Sequence, residues 1–281
     1  MKLANVDGRA TVLSGTDGID VAVASEGRFG PDLQSLYDDW IAFVDFWRQL
    51  TEGESEPLDE SKLGSPVPTP RQVFGIGLNY RSHAEESGMD LPSFPATFTK
   101  FPTSLSGPFD DIEIGFNMVD WEVELVVVIG ARADHVAESE AWAHIAGLAV
   151  GQDISDRALQ FAAGSQFSLG KSRHGYGPIG PWLVTPDEFA DPDNLELGCS
   201  INGETVQLDR TSGLVFSVPR LVADLSSVVS LLPGDVIFTG TPAGVGIGRQ
   251  PARFLSPGDT LESWVEGVGS IRNHCIAAIA R

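Results

Sequence analysis

Glu122 and Glu124 stand two residues apart inside Asp120-Trp121-Glu122-Val123-Glu124-Leu125-Val126-Val127-Val128-Ile129-Gly130, a strongly β-forming run. Side chains at i and i+2 of a strand share a face, so this spacing sets the two carboxylates side by side. A Val- and Ile-rich inner strand keeps charge off its buried surface unless something pairs with it. A hard divalent cation such as Mg²⁺ is an economical partner, since it takes carboxylate oxygens, keeps several waters and leaves positions for an anionic substrate. An edge strand with a solvated polar face would carry the same pattern, with Val123, Leu125 and Val127 on the core side. A third acid favours the metal. Ala146-Gly147-Leu148-Ala149-Val150-Gly151-Gln152 runs small and apolar and then ends at Asp153, ahead of Ile154-Ser155-Asp156-Arg157. An apolar strand that stops at an acid delivers a ligand at the rim of a sheet. Asp153 fits that role, and Asp156 fits the cap of a helix expected over residues 157–163.

A second constellation lies upstream. Asn79-Tyr80-Arg81-Ser82-His83-Ala84-Glu85-Glu86 leaves a strand and enters a helical turn, which puts His83 and Glu86 on one side. A carboxylate beside an imidazole orients it and raises its basicity, as a general base requires. An exposed helix start with a chance His/Glu pair would read the same. The Gly- and Pro-containing segment 87–95 that follows is suited to fold over a site as a lid.

Other chemistries lack their residues. Gly170-Lys171-Ser172 ends like a phosphate-binding loop, but its first glycine would have to be residue 165, a serine. Gly75-Ile76-Gly77 lacks the third glycine of a dinucleotide fingerprint, Gly198-Cys199-Ser200-Ile201-Asn202 lacks the final glycine of a nucleophile elbow, and no His-Glu-x-x-His pair exists. Cys199 and Cys275 stand far apart with no further Cys/His clustering, against a zinc site or a disulfide framework. A net charge of −21 opposes nucleic acid and anionic membranes by repulsion. The N-terminal residues carry no signal-peptide pattern, and the apolar run 125–129 is too short to span a bilayer, so a soluble, cytoplasmic protein is expected.

The elements that must position these residues fall into two parts. Residues 1–50 alternate short β-like runs (10–12 and 19–24) with Gly turns. They then carry Leu33, Leu36, Tyr37, Trp40, Val44 and Trp47 at helical spacing. Residues 51–65 turn acidic and Gly/Pro/Ser-containing and read as a linker, which places a boundary near 66: a small N-terminal α/β module over 1–66 and a catalytic domain over 67–281. The second part is mostly short strands, with helices expected over 138–145 and 219–232. The latter is capped by Ser217 and stopped by Pro233-Gly234-Asp235. Periodicity alone gives a β-rich domain with a few helices.

Taken in order, several blocks resemble the fumarylacetoacetate hydrolase family. They are Gly77-Leu78-Asn79-Tyr80-x-x-His83, Phe98-Thr99-Lys100, Asp120-x-Glu122-x-Glu124-Leu125, Gly151-Gln152-Asp153-x-Ser155-x-Arg157-x-x-Gln160, Gly170-Lys171-Ser172, Gly180-Pro181, Asn202-Gly203-Glu204-x-x-Gln207, and Pro233-Gly234-Asp235 through Gly246. The resemblance covers roughly residues 70–281. It implies a β-rich α+β fold, the mixed β-sandwich roll of that family, and a homodimer that binds Mg²⁺ or Mn²⁺, with Ca²⁺ a further candidate. Carried over by position, Glu122, Glu124 and Asp153 are the metal ligands, and His83 with Glu86 is the water-activating pair. Lys171 and Gln207 donate to developing negative charge, while Tyr80, Arg157, Gln160 and Thr241 bind substrate. The implied reaction is hydrolysis of a C–C bond in an acylpyruvate or related 1,3-dicarbonyl 2-oxo acid, through an enolate stabilised by the metal. Oxaloacetate decarboxylation, 2-oxo acid hydration and tautomerisation use the same parts, and a non-catalytic 2-oxo acid binding protein is the other class. His83 together with Glu86 favours water activation over simple isomerisation. The chain departs from the family at His174, preceded by Arg173, where many members carry an Asp, so loop 173–177 leaves specificity open.

Overall fold

The computed structural model describes residues 1–50, 53–115, 118–162 and 164–278. Thr51 and Glu52 of the expected linker, and Ala163 at the end of the expected helix, lie outside the described residues.

Strand Val123–Ile129 is buried at all seven positions because both of its edges are paired. Ile145–Gln152 runs antiparallel along one edge and Val236–Phe238 along the other. Leu125, Val127 and Ile129 enter one apolar cluster, Val126 and Val128 another, so neither face meets water. The edge-strand alternative is thereby excluded.

The large sheet runs in the order Glu56–Pro57, Asp17–Asp20, Arg9–Ser14, Lys2–Val6, Gly177–Val184, Ile145–Gln152, Val123–Ile129, Val236–Phe238, Val73–Gly77, Ala96–Thr99. A second sheet of five strands runs Glu204–Arg210, Glu196–Ile201, Thr260–Val265, Gly269–Ala277, Ile112–Ile114. Leu197, Val265 and Ile271 of the second sheet meet Leu125, Val127 and Leu148 of the first, and Leu221, Val222 and Leu225 of helix Val218–Ser226 join the same core. The opposite face of the large sheet is covered by Leu33, Leu36, Tyr37, Trp40 and Phe43. This is the β-rich α+β architecture with few helices that the sequence led us to expect. No helix among the described residues is long and apolar enough to cross a membrane. Cys199 and Cys275 are buried free thiols.

Local chemistry moved several boundaries. The helical run from Leu33 to Trp47 is two helices, Leu33–Asp38 and Trp40–Gln49, with Asp39 at φ −119° between them; Asp is a weak helix former. Residues 19–24 divide because the Asp20 carboxylate accepts from Val23 N–H at 2.9 Å and starts the short helix Val21–Ala24. The segment 138–145 holds a 3₁₀ helix, Glu138–His144. Helix Val218–Ser226 stops short of residue 232: the Ser226 and Ser227 hydroxyls donate back to the carbonyls of Ala223 and Asp224 at 3.1 and 2.7 Å, in competition with the helix ladder. In the acidic stretch after residue 52, Glu56–Pro57 pairs with Asp17–Asp20 and Leu63–Gly64 pairs with Lys2–Val6. Lys2–Val6 also pairs with Gly177–Val184, which joins the N-terminal strands to the large sheet.

Asn79 fixes the chain where it leaves Val73–Gly77 on its way to His83. Its buried amide donates to the carbonyls of Phe216 and Thr239 at 3.0 and 2.7 Å and accepts from Phe216 N–H at 2.8 Å. Asn79→Leu leaves these backbone groups without partners, and urea unfolding should show a loss of about 2–4 kcal/mol; a loss under about 0.5 kcal/mol would mean the segment is held elsewhere.

Candidate active site

Glu122 lies one residue ahead of strand Val123–Ile129 and Glu124 lies within it, while Asp153 directly follows the neighbouring strand Ile145–Gln152. Asp153 N–H donates to the Glu122 carbonyl at 2.9 Å, which clamps the two strand ends together. Carboxylate oxygens of Glu122, Glu124 and Asp153 come within 4.8 Å of one another, and all three residues are buried.

Like charges this close need counter-charge. Lys171 Nζ bridges Glu122 Oε2 at 2.6 Å and Asp153 Oδ2 at 2.7 Å. Lys100 Nζ holds Asp153 Oδ1 at 2.6 Å and also donates to the carbonyls of Lys171 and Tyr176. Arg157 reaches Glu122 Oε1 at 2.6 Å and Asp120 Oδ2 at 2.7 Å. Burial works to raise the Glu122 carboxyl, but Lys171 and Arg157 outweigh it and bring it down to about 2.

Glu124 has no such neighbour. It accepts Gly240 N–H at 2.7 Å, and no lysine or arginine among the described residues pairs with it. Burial, and then the charges of Asp153 and Glu122, push its carboxyl well above the ordinary range. Four buried carboxylates, Asp120, Glu122, Glu124 and Asp153, thus face three buried cations, Lys100, Arg157 and Lys171. The negative charge left over is concentrated where three carboxylates converge, which fits an oxygen-ligated divalent cation.

Asp120 supports this cluster from behind. Besides Arg157 it takes the N–H groups of Gly246 and Ile247 at 2.7 and 3.1 Å, which ties loop 244–249 to the acid-bearing strand. Asp156 caps the helix Arg157–Ala162, accepting from Leu159 N–H at 3.0 Å, and its other oxygen pairs with Arg173 at 2.8 Å. Asp156 thus takes the cap role expected of it, while Asp153 stands in the acid cluster.

His83 and Glu86 lie in the helix Arg81–Ser87 with Nδ1 3.4 Å from Oε2. Their side chains are only 13% and 20% exposed. Glu86 also receives Gly244 N–H at 3.1 and 3.2 Å. Burial opposes charge on Glu86, but the bonds from His83 and Gly244 outweigh it and hold its carboxyl below the ordinary range. Gly244 sits at φ +105°, and a Cβ there would lie 2.1 Å from the Val206 carbonyl oxygen, so only glycine brings this N–H so close. A cavity of about 120 Å³ is lined by His83, Glu122, Arg157, Gln160, Lys171 and Thr241.

Two residues expected at the substrate are placed differently. Tyr80 is wholly buried, in one apolar cluster with Leu125 and Leu214, and is not among the residues on the cavity wall. Gln207 already donates both amide hydrogens, to Thr241 Oγ1 at 2.9 Å and the Pro242 carbonyl at 2.8 Å. Its oxygen accepts from Val123 N–H at 3.0 Å and the Cys199 thiol at 3.3 Å. Gln207 thereby braces the acid-bearing strand. Lys100 and Asp120, by contrast, received no role from the sequence. The signal for them was the charge balance itself, since three converging acids require buried cations and those cations require partners.

Comparison with known proteins decides the family. Residues 72–276 match the profile described as fumarylacetoacetate (FAA) hydrolase, C-terminal. The chain belongs to the fumarylacetoacetate hydrolase family. It is 42% identical over 222 residues to the mitochondrial oxaloacetate tautomerase of Rattus norvegicus, spanning 78% of this chain and 71% of that protein. A crystal structure of a Mycobacterium smegmatis protein provisionally assigned as HpcE is 52% identical, with a TM-score of 0.94 over 99% of this chain and 100% of the other. The maleylpyruvate hydrolase of Sphingobium sp. SYK-6, in complex with manganese (II) ion and pyruvate, is 27% identical with a TM-score of 0.81 over 99% and 100%. The fumarylacetoacetate hydrolase family thus supplies enzymes of hydrolase, isomerase and tautomerase type as relatives of this chain.

Glu124→Gln removes the unbalanced charge. Because the Glu124 carboxyl is raised in the fold, the metal-free protein loses stability as pH rises above the ordinary carboxylate range. A neutral Gln should therefore stabilise the protein in EDTA at pH 7 by about 1–4 kcal/mol, while the rise in melting temperature on adding Mn²⁺ shrinks. An unchanged melting temperature in EDTA would show that the charge is already compensated.

Proposed function

We propose that the chain hydrolyses a C–C bond of an acylpyruvate-class 2-oxo acid and depends on a divalent cation, Mg²⁺ or Mn²⁺. The observation that carries this reading is His83, paired with a Glu86 held by Gly244 N–H, on the wall of the same cavity as Glu122 of the buried acid cluster. Glu122, Glu124 and Asp153 are the residues that would hold the cation, and its charge would make the 2-oxo acid fragment a better leaving group. Lys171 lies on the cavity wall with its ammonium on Glu122 and Asp153, and its remaining hydrogen is available to substrate oxygen. Arg157, Gln160 and Thr241 orient the carboxylate end.

His83 takes a proton from water, and Glu86 stabilises the resulting imidazolium. The oxygen adds to the carbonyl farther from the carboxylate. The bond between that carbonyl carbon and C3 then breaks, releasing a carboxylic acid and the enolate of pyruvate, which takes up at C3 the proton that His83 removed from water. Resemblance to the family also supports a homodimeric enzyme.

A second reading is keto–enol tautomerisation, favoured by the 42% identity to an oxaloacetate tautomerase. In that case His83 carries a proton between C3 and the enol oxygen, and no water is consumed.

Turnover of acetylpyruvate, fumarylpyruvate and oxaloacetate, with Mg²⁺, Mn²⁺ or EDTA, separates the two. Hydrolysis releases pyruvate together with loss of enol absorbance; tautomerisation removes enol absorbance from oxaloacetate with no pyruvate formed. His83→Ala should lower kcat by about 10²–10⁴-fold in either case. Metal-independent turnover, or a variant of undiminished rate, would overturn both.

A further inference from the structure

The cavity that Glu122 of the acid cluster lines has a second, outer half. Its wall there is formed by Leu78, Met89, Phe98, Phe161, Phe167 and Ile247. Phe167 stands edge-on to both Phe98 and Phe161, with ring centroids 6.1 and 6.2 Å apart, so the three rings make one continuous surface. Met89 and Phe161 are 56% and 50% exposed, which leaves large apolar side chains in water at the cavity mouth.

Charge is confined to the inner half. The lysine and arginine on the cavity wall both sit in the inner half, Lys171 paired with Glu122 and Asp153, and Arg157 with Asp120 and Glu122. Lys171 also lies 5.3 Å above the Phe98 ring, at the border between the two halves. A second carboxylate on the substrate would enter the aromatic half and lose its water without meeting a cation. The net charge of −21 adds repulsion against any extra negative group.

From this partition we infer that the substrate carries an uncharged apolar tail, alkyl or aryl, on the side away from its 2-oxo acid group, and that Met89, Phe161 and Phe167 select it. The inference rests on the 2-oxo acid reading above and narrows it to one substrate class, to which oxaloacetate, with its second carboxylate, does not belong.

Binding of unreactive 2-oxo acids to the Mn²⁺-loaded protein, followed by calorimetry, tests the tail apart from turnover. Across 2-oxobutanoate, 2-oxohexanoate and 2-oxooctanoate the affinity should rise by about fourfold per methylene, and 2-oxoglutarate should bind at least about tenfold more weakly than 2-oxohexanoate. Phe161→Ala should flatten the chain-length series, and Met89→Arg should shift preference towards 2-oxoglutarate, each with Mn²⁺ affinity and melting temperature retained. Equal affinity for 2-oxoglutarate and 2-oxohexanoate, or no dependence on length, would overturn the apolar tail and leave the 2-oxo acid reading standing. If Mn²⁺ binds and no 2-oxo acid does, both fall.

Discussion

Lys171 touches Glu122 and Asp153 at 2.6 and 2.7 Å, and much of the molecule is arranged so that this bridge can exist at depth. Two carboxylates at the ends of adjacent strands repel each other, and burial magnifies the repulsion. Removing one member of such a cluster leaves the rest uncompensated, so the segments that deliver the cations are as constrained as the strands that deliver the acids. Lys100 follows the outermost strand of the large sheet, Arg157 opens a helix capped by Asp156, and Lys171 comes from the turn beyond it. Three separate pieces of chain thus end at one point.

Backbone donors complete what side chains leave unfinished. Gly240 N–H serves Glu124, Gly246 and Ile247 N–H serve Asp120, and Gly244 N–H serves Glu86. All come from the loop after strand Val236–Phe238, so one irregular segment steadies both the acid cluster and the histidine pair. Its glycines allow backbone to approach carboxylate more closely than a side chain would permit, as the Val206 carbonyl beside Gly244 makes plain.

What could be read in advance follows from the range of the interactions. Glu122, Glu124 and Asp153 were legible because strand periodicity and an apolar run ending in an acid are local signals. The inner position of Val123–Ile129 was likewise written in its unbroken Val/Ile content. The overall architecture came from resemblance and not from periodicity. Gln207 and Tyr80 were placed at the substrate by analogy, yet Gln207 braces Val123, 84 residues away, and Tyr80 bridges to Leu214, contacts that no local pattern encodes. Helix limits shifted at Asp20 and at Ser226-Ser227, where a short polar side chain competed for a backbone group, and at Asp39, a weak helix former.

Strand Val123–Ile129 takes one neighbour from residues 145–152 and the other from residues 236–238, and the latter pairs in turn with residues 73–77. Chain topology therefore imposes an order in time. Hairpin pairing of the first two strands is local, but closure of the other edge joins segments more than a hundred residues apart and pays the loop-closure entropy late. Until then Glu124 lacks the N–H of Gly240, and its strand edge is open to water and to other chains. Glu124 is a charge on that open edge, and charge on an unpaired strand edge opposes edge-to-edge association.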